Sequence, residues 1–552
     1  MNGILYAELY AAFITRDTHS SFYLRGILIT NASGTCTEDN LCMKKTIALN
    51  IYLCCNVLVL NDKGEAGMLI KDQNRAPLFE ALKDYHAKNV IPFDVPGHKH
   101  GAGLPELAGY VGKKVLEIDV NAMECLDNIS NPIGVIKEAE ELAAQAYGAA
   151  NAFFLVNGTT SGVQAMIMAA CRPGEKVILP RNAHKSAIAG MILSGAVPIY
   201  IQPEINEDLG IAMGITESSV RQAIASNPDA RAVFVIHPTY YGAVSDLSAI
   251  VKIAHQHEIA VLADEAHGAH FRFHPQLPVS AMELGADASA SSTHKTGGSL
   301  TQSSLLLMRD SMLDPNYMKT TLNLTQTTSA SYLLMGSIDI ARKQLATRGR
   351  DILGKVLDIV CRAKEELNTV DGLYAFGREL VGSPGVFDYD DTKLGVNVRK
   401  LGLSGYETEK LLRKEYNIQV ELADMYNILA ITAVGDTEGS VGTLVQALKD
   451  IAKRHRNGEI REITRNMLKN PEIVVSPRDA YYSSKKSVKL EDAVGSVSGE
   501  SIMVYPPGIP LVTPGEMITR EIVEYAKMLK AEECMLQGTQ DPYADKILVL
   551  GR

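Results

Sequence analysis

Lys295 is the residue of this chain best set for covalent chemistry. It lies in Asp287–Ser303, DASASSTHKTGGSLTQS, where a small-residue run leads into His294-Lys295 and a glycine pair follows. The pattern predicts a buried strand ending in a loop that presents one lysine. Serine, threonine and glycine surround it, so polar donors are close and backbone can approach a ligand. Such a lysine can have its pKa lowered and form a Schiff base with a carbonyl; taken alone, a lysine is more often a solvated surface residue. Two upstream stretches shift that balance. Ile259–Phe271, IAVLADEAHGAHF, is an apolar run ending in Asp264-Glu265-Ala266-His267-Gly268. A buried parallel strand reads this way, and its carboxyl end is where α/β folds place ligands. Phe153–Gly162, FFLVNGTTSG, runs a strand into a Gly/Thr/Ser turn at a helix start, a setting suited to phosphate. A phosphate cradle, a strand-end aspartate and a loop lysine, in that order, are the parts of a pyridoxal-phosphate (PLP) site. The carboxylate would pair with the pyridinium nitrogen and the lysine would form the imine.

The elements that must position these groups are legible as alternation. Apolar runs at Ala152–Val156, Lys176–Leu179, Val197–Ile201, Ala232–Ile236, Ile259–Ala263, Ala286–Ser292 and Ser304–Met308 are separated by helical segments. Regular alternation of this kind gives a mostly parallel sheet flanked by helices, an α/β fold. Upstream, Pro77–Tyr85 puts Leu78, Leu82 and Tyr85 on one helical face. Gly134–Gly148 reads as an amphipathic helix with Ile136, Ala139, Leu142, Ala143 and Ala146 inward and Gly148 at its end. Downstream, Arg350–Val370, Glu407–Tyr416 and Val441–Arg454 read as helices, and Lys393–Val398, Gln419–Leu422 and Ile428–Thr432 as strands. Ser404 to Glu407 forms a capping box. Arg456–Ser501 reads as charged and loop-rich.

The 552 residues permit two to four domains. A hydrophobic content of 46% and a charged content of 21% are ordinary for a globular protein. A net charge of -10 argues against nucleic acid as the main partner. Eight cysteines in so long a chain are no disulfide framework, and their spacing suits no metal site; they read as reduced thiols in a cytoplasm. Thr46–Leu60 is apolar but broken by Asn50 and Asn56, and short for a membrane span. From Met43 the chain imitates a signal peptide without a good cleavage site.

PGHK (Pro96–Lys99), NGTTSG (Asn157–Gly162), PRNAHKS (Pro180–Ser186), HPTYYG (His237–Gly242), DEAHG (Asp264–Gly268), STHKTGGSLTQSS (Ser292–Ser304) and YPPGIPLVTPGE (Tyr505–Glu516) stand in the order of a known family. From about Met68 onward the chain resembles the bacterial Orn/Lys/Arg decarboxylases, fold-type-I PLP enzymes, and most of all the short biosynthetic arginine decarboxylases. The resemblance implies residues 1–67 as a non-family extension, disordered or from an over-long gene start. It implies an arm at 68–148, a PLP-binding large domain at 149–337, a small α+β domain at 338–475 and a C-terminal decarboxylase domain at 476–552.

It also implies roles. Thr159 and Thr160 would hold the phosphate, with Ser292 and His294 adding contacts to it. His184 would stack on the cofactor ring. Asp264 would pair with the ring nitrogen, and Lys295 would carry the cofactor. His267 would approach the ring oxygen or the substrate. Thr327 and Thr328 would reach a neighbouring subunit's phosphate, since family active sites form at a dimer interface. Glu516 would hold the substrate's distal cation, with Glu421 and Asp424 as weaker candidates. His98 and Lys99 could reach the site or merely form a turn. The implied reaction is decarboxylation of a basic amino acid in polyamine synthesis. Arginine is favoured over lysine and ornithine by resemblance alone, and an aminotransferase, a β-lyase or a non-catalytic relative are the rivals.

Overall fold

The seven apolar runs assemble into one sheet. Its strands are Asn151–Leu155 (β1), Lys176–Pro180 (β2), Val197–Ile201 (β3), Ala232–Ile236 (β4), Ala260–Asp264 (β5), Ala288–Ser291 (β6) and Ser304–Met308 (β7). Their order is β1-β7-β6-β5-β4-β2-β3. β7 runs antiparallel to both neighbours, and the pairs from β6 to β3 are parallel. Alternate residues feed two cores. Val233, Val235 and Val261 enter one cluster, and Phe234, Leu262 and Ala290 enter the other. A sheet buried on both faces needs this continuous apolarity, which is why the strands read as runs rather than as alternation.

The computed structural model describes residues 56–57, 70–455, 470–505, 509–532 and 534–551. The chain divides into two compact units, Met1–Ile70 and Lys71–Arg552. The readings of residues 1–67 and of Met68 lie outside the described residues, apart from two extended residues at 56–57. No helix among the described residues is long and apolar enough to cross a membrane.

Several local readings hold within a residue or two. Pro77–Ala87 buries Leu78, Leu82 and Tyr85. Val135–Tyr147 buries Ile136, Ala139, Leu142 and Ala143, and Gly148 ends it at φ 70; Ala146 is only partly buried. The Ser404–Glu407 capping box is formed in both directions.

Three readings are corrected. Lys295 sits not in a loop but in the one-turn helix Thr293–Thr296, closed by Gly297 N–H to Thr293 O at 2.9 Å. The helix read from Arg350 begins at Tyr332 and runs unbroken to Asn368 through the 337/338 boundary. Its glycines serve close packing rather than a break: a Cβ on Gly336 would stand 3.1 Å from Leu82, and one on Gly349 2.9 Å from Phe273. The described part of Arg456–Ser501 is structured, with helix Pro477–Tyr482 and strand Lys485–Lys489 paired to Lys546–Leu550.

Beyond the large sheet, Tyr374–Phe376, Lys393–Asn397, Asn427–Ile431 and Leu422–Ala423 form an antiparallel four-stranded sheet. Of Gln419–Leu422, read as strand, Gln419–Glu421 stay outside it. Ile509–Val512, Ile502–Tyr505 and Met535–Gln537 form a third, smaller sheet. Both are backed by amphipathic helices, Glu438–Arg454 and Arg520–Ala531.

Candidate active site

The carboxyl ends of β1, β2, β4, β5 and β6 open onto one cavity of about 400 Å³. Register does the placing: Asp264, last in β5, pairs with Ala290 of β6, so the turn bearing Lys295 starts beside it. Asp264, His267 and Lys295 line the cavity, as do Thr159 and His184. Tyr406 and Asp424 come to the same wall from around the small sheet, and Leu511, Tyr525 and Met528 from the C-terminal part.

At its centre Lys295 Nζ lies 2.9 Å from His267 Nε2 and 5.3 Å from the centre of the Tyr240 ring. Burial lowers the amine's pKa, while the charges of Asp264 and Glu421 pull it back up. Burial, then the Lys295 charge, push His267 well below the ordinary histidine range, and the same causes lower His184 to about 4. His267 is therefore neutral beside the lysine, and its Nδ1 is buried without a partner among the described residues. Asp264 is buried and accepts one backbone bond, Ala266 N–H at 3.2 Å. Burial raises its carboxyl, against the opposing charge of Lys295.

Thr159 Oγ1 and Ser292 Oγ are 3.0 Å apart, joining the turn after β1 to the turn after β6. Thr159 is in the first turn of the helix Gly158–Ala170, whose start no side chain caps. Thr160, beside it, is exposed and off the cavity wall. His184 N-caps the helix Lys185–Ser194 and bonds Ser186 Oγ at 2.9 Å. His294 faces away from the cavity lining, with Nδ1 2.9 Å from Ser303 O. Thr327 and Thr328 are exposed in the connection before the long helix. His98 is held in its turn by Asp119 at 3.1 Å and by Gly101 N–H.

Glu516 is not where the substrate reading needs it. It is 1% exposed and off the cavity wall. Its oxygens accept from both terminal nitrogens of Arg181 and from Thr513 N–H at 2.7 Å. Arg181 also donates to Leu511 O at 3.0 Å and lies over the Tyr200 ring. Glu516 thus closes a buried ion pair between the large domain and the C-terminal part. Besides Asp264, the carboxylate that reaches the wall is Asp424, which accepts from Tyr241 Oη and from the N–H groups of Tyr426 and Asn427. Burial raises its carboxyl, and no cation among the described residues pairs with it. Glu421 is exposed. Arg181, Tyr240 and Tyr241 had no assigned role, although all three lie in the quoted PRNAHKS and HPTYYG motifs.

The donor set fits PLP. A helix start with hydroxyls suits the phosphate, a buried carboxylate short of partners suits a protonated ring nitrogen, and a buried amine suits an aldehyde.

A family model for the Orn/Lys/Arg decarboxylase major domain matches residues 76–440, and one for the Orn/Lys/Arg decarboxylase C-terminal domain matches residues 460–540. The chain is 44% identical to an arginine decarboxylase of Bacillus subtilis (strain 168) over 87% of this chain and 98% of that one. It is 44% identical to an arginine decarboxylase of Halalkalibacterium halodurans over 85% and 96%. Among solved structures, the Escherichia coli constitutive lysine decarboxylase superposes with a TM-score of 0.74 at 21% identity, covering 87% of this chain and 82% of that one; the architecture is that of the fold-type-I PLP enzymes. The chain belongs to the Orn/Lys/Arg decarboxylase family.

Proposed function

We propose that the protein is a PLP-dependent arginine decarboxylase, converting arginine to agmatine and CO2 for polyamine synthesis in the cytoplasm. One observation carries the reading: a buried amine, a buried carboxylate beside it and a second carboxylate with no cation partner among the described residues line one cavity. The names of the relatives at 44% identity support arginine over lysine or ornithine.

When bound, PLP supplies an aldehyde for an amine and a ring that takes up the electrons of the broken bond. The rest is the work of this chain. Thr159, Ser292 and the helix start would hold the phosphate, with Thr160 and His294 nearby in the same two turns. His184 would lie against the ring, and Asp264 would keep its nitrogen protonated. Lys295 would hold the cofactor through its Nζ, whose neutral form burial favours. When CO2 leaves, a proton must take its place at the α-carbon. Lys295 Nζ can deliver it, with His267 Nε2 at 2.9 Å steadying the amine that remains. Asp424 receives the guanidinium, bidentate where geometry allows. Leu511, Met528 and Leu529 keep water from the reacting atoms.

An aminotransferase would grip the α-carboxylate with an arginine. The arginine on the cavity wall, Arg181, is committed to Glu516 and Leu511 O, which favours decarboxylation. A second copy of the chain completes the assembly. Phe93, Tyr110 and Ile91 are 95%, 92% and 77% exposed, apolar side chains a partner could cover, and Thr327 and Thr328 are open to a partner's phosphate.

CO2 release from arginine, lysine and ornithine in parallel, with PLP present and Lys295→Ala as control, tests the reading. Release from arginine that vanishes in the variant is expected. Release from lysine or ornithine instead would overturn the substrate, and release from none would overturn the reaction.

A further inference from the structure

Asp390 stands where three segments meet. It follows the strand Asp388–Tyr389, which pairs antiparallel with Ala243–Val244, and its N–H donates to Gly242 O at 2.9 Å. Its fully buried carboxylate accepts from Lys393 Nζ at 2.8 Å, from Thr392 N–H at 3.0 Å and Thr392 Oγ1 at 2.7 Å. His270 Nε2 lies 3.3 Å away. His270 and Lys393 are buried as deeply.

The partners make this more than a local cluster. His270 lies with His267 in the connection that follows Asp264 and β5. Gly242 ends the turn that carries Tyr240 and Tyr241. The His267 and Tyr240 rings lie 4.3 Å apart, both against Lys295. One carboxylate and its own N–H thus tie down both turns that flank the amine. The fit is close: a Cβ on Gly242 would stand 3.0 Å from Asp390 O and 3.1 Å from Lys393 Cγ. A buried ion pair is a weak route to stability, since apolar residues of like volume are often as good or better. The charge itself therefore calls for a use.

We infer that Asp390, with Lys393 and His270, is a positioning hub that holds His267 and Tyr240 against Lys295 and biases the protonation of that amine. It rests on Lys295 being the cofactor lysine. Lys295 feels Asp264, Glu421 and Lys393, and His267 feels Lys295, Lys393, Asp390 and His184. His184, His267 and Tyr240 complete the groups facing the amine. Losing Lys393 removes a cation that disfavours a charged Lys295. Losing the Asp390 charge leaves that cation uncompensated.

The test is the pH dependence of PLP capture by the full-chain apoenzyme, followed by absorbance. The neutral Lys295 nitrogen attacks the aldehyde carbon, a C=N bond forms, and the carbonyl oxygen leaves as water. Lys393→Met is expected to move the midpoint of capture to higher pH and Asp390→Asn to lower pH, each by about half a unit, ~threefold in rate at fixed pH. Shifts in the same direction, or none in either, overturn the electrostatic role. His270→Leu keeps both charges and removes the donor that ties the His267 turn to Asp390. It is expected to slow capture about tenfold at every pH without moving the midpoint, and wild-type capture in this variant overturns the positioning role. If Lys295→Ala captures PLP as the wild type does, the functional reading fails instead.

Discussion

Lys295 Nζ and His267 Nε2 share a hydrogen bond of 2.9 Å inside the cavity, and burial keeps the imidazole neutral. Lys295 can therefore hold and deliver the proton without the histidine competing for it. His267→Gln should lower kcat for arginine about 100-fold with a small change in KM. Lys295→Ala should abolish turnover. Steady-state kinetics of CO2 release checks both, and an unchanged kcat in His267→Gln would show that the amine acts without it.

Asp424 and Glu516 separate binding from stability. Asp424→Asn should raise KM for arginine about 100-fold, as loss of a desolvated charge contact does, with Tyr241→Phe showing a smaller rise. Glu516→Gln leaves Arg181 buried and unpaired, a change that costs roughly 3–5 kcal/mol, so it should lower the melting temperature more than it alters KM. Paired calorimetry and kinetics on both variants decide.

Glu265 sets a pH window for stability. Buried and bonded to Ala281 N–H, Ser289 Oγ and Ser291 Oγ, its carboxyl is pushed up to about 7 from 4.5, chiefly by burial. The folded state therefore keeps a proton that the unfolded chain has released between those values. Its contribution is full below pH 4.5 and is lost as pH rises to about 7. Glu265→Gln should be less stable than wild type at pH 5 or equal to it, and should regain ground at pH 8 by ~2 kcal/mol. Urea midpoints at the two values test this.

The exposed apolar side chains of the arm predict self-association. Phe93→Ser with Tyr110→Ser should weaken it at least about tenfold and make activity fall on dilution. Sedimentation velocity across concentrations measures the first, and an unchanged dimer would place the interface elsewhere.

The seven strands, the strand-end Asp264, Lys295 and the Ser404–Glu407 cap were legible because each depends on local pattern: apolar runs, turn chemistry and helix-start hydrogen bonds. The amino-acid order also determined that Thr159, Asp264 and Lys295 would follow strand ends, where α/β sheets open onto ligands. Which carboxylate faces the cavity was not legible. Glu516 is consumed by Arg181, 335 positions away in the chain, and Asp424 is turned to the wall by Tyr241 from a separate segment. The same holds for Asp390, Lys393 and His270, whose residue types promise surface until packing buries them together. Such pairings depend on long-range registry, and only the tertiary structure decided them.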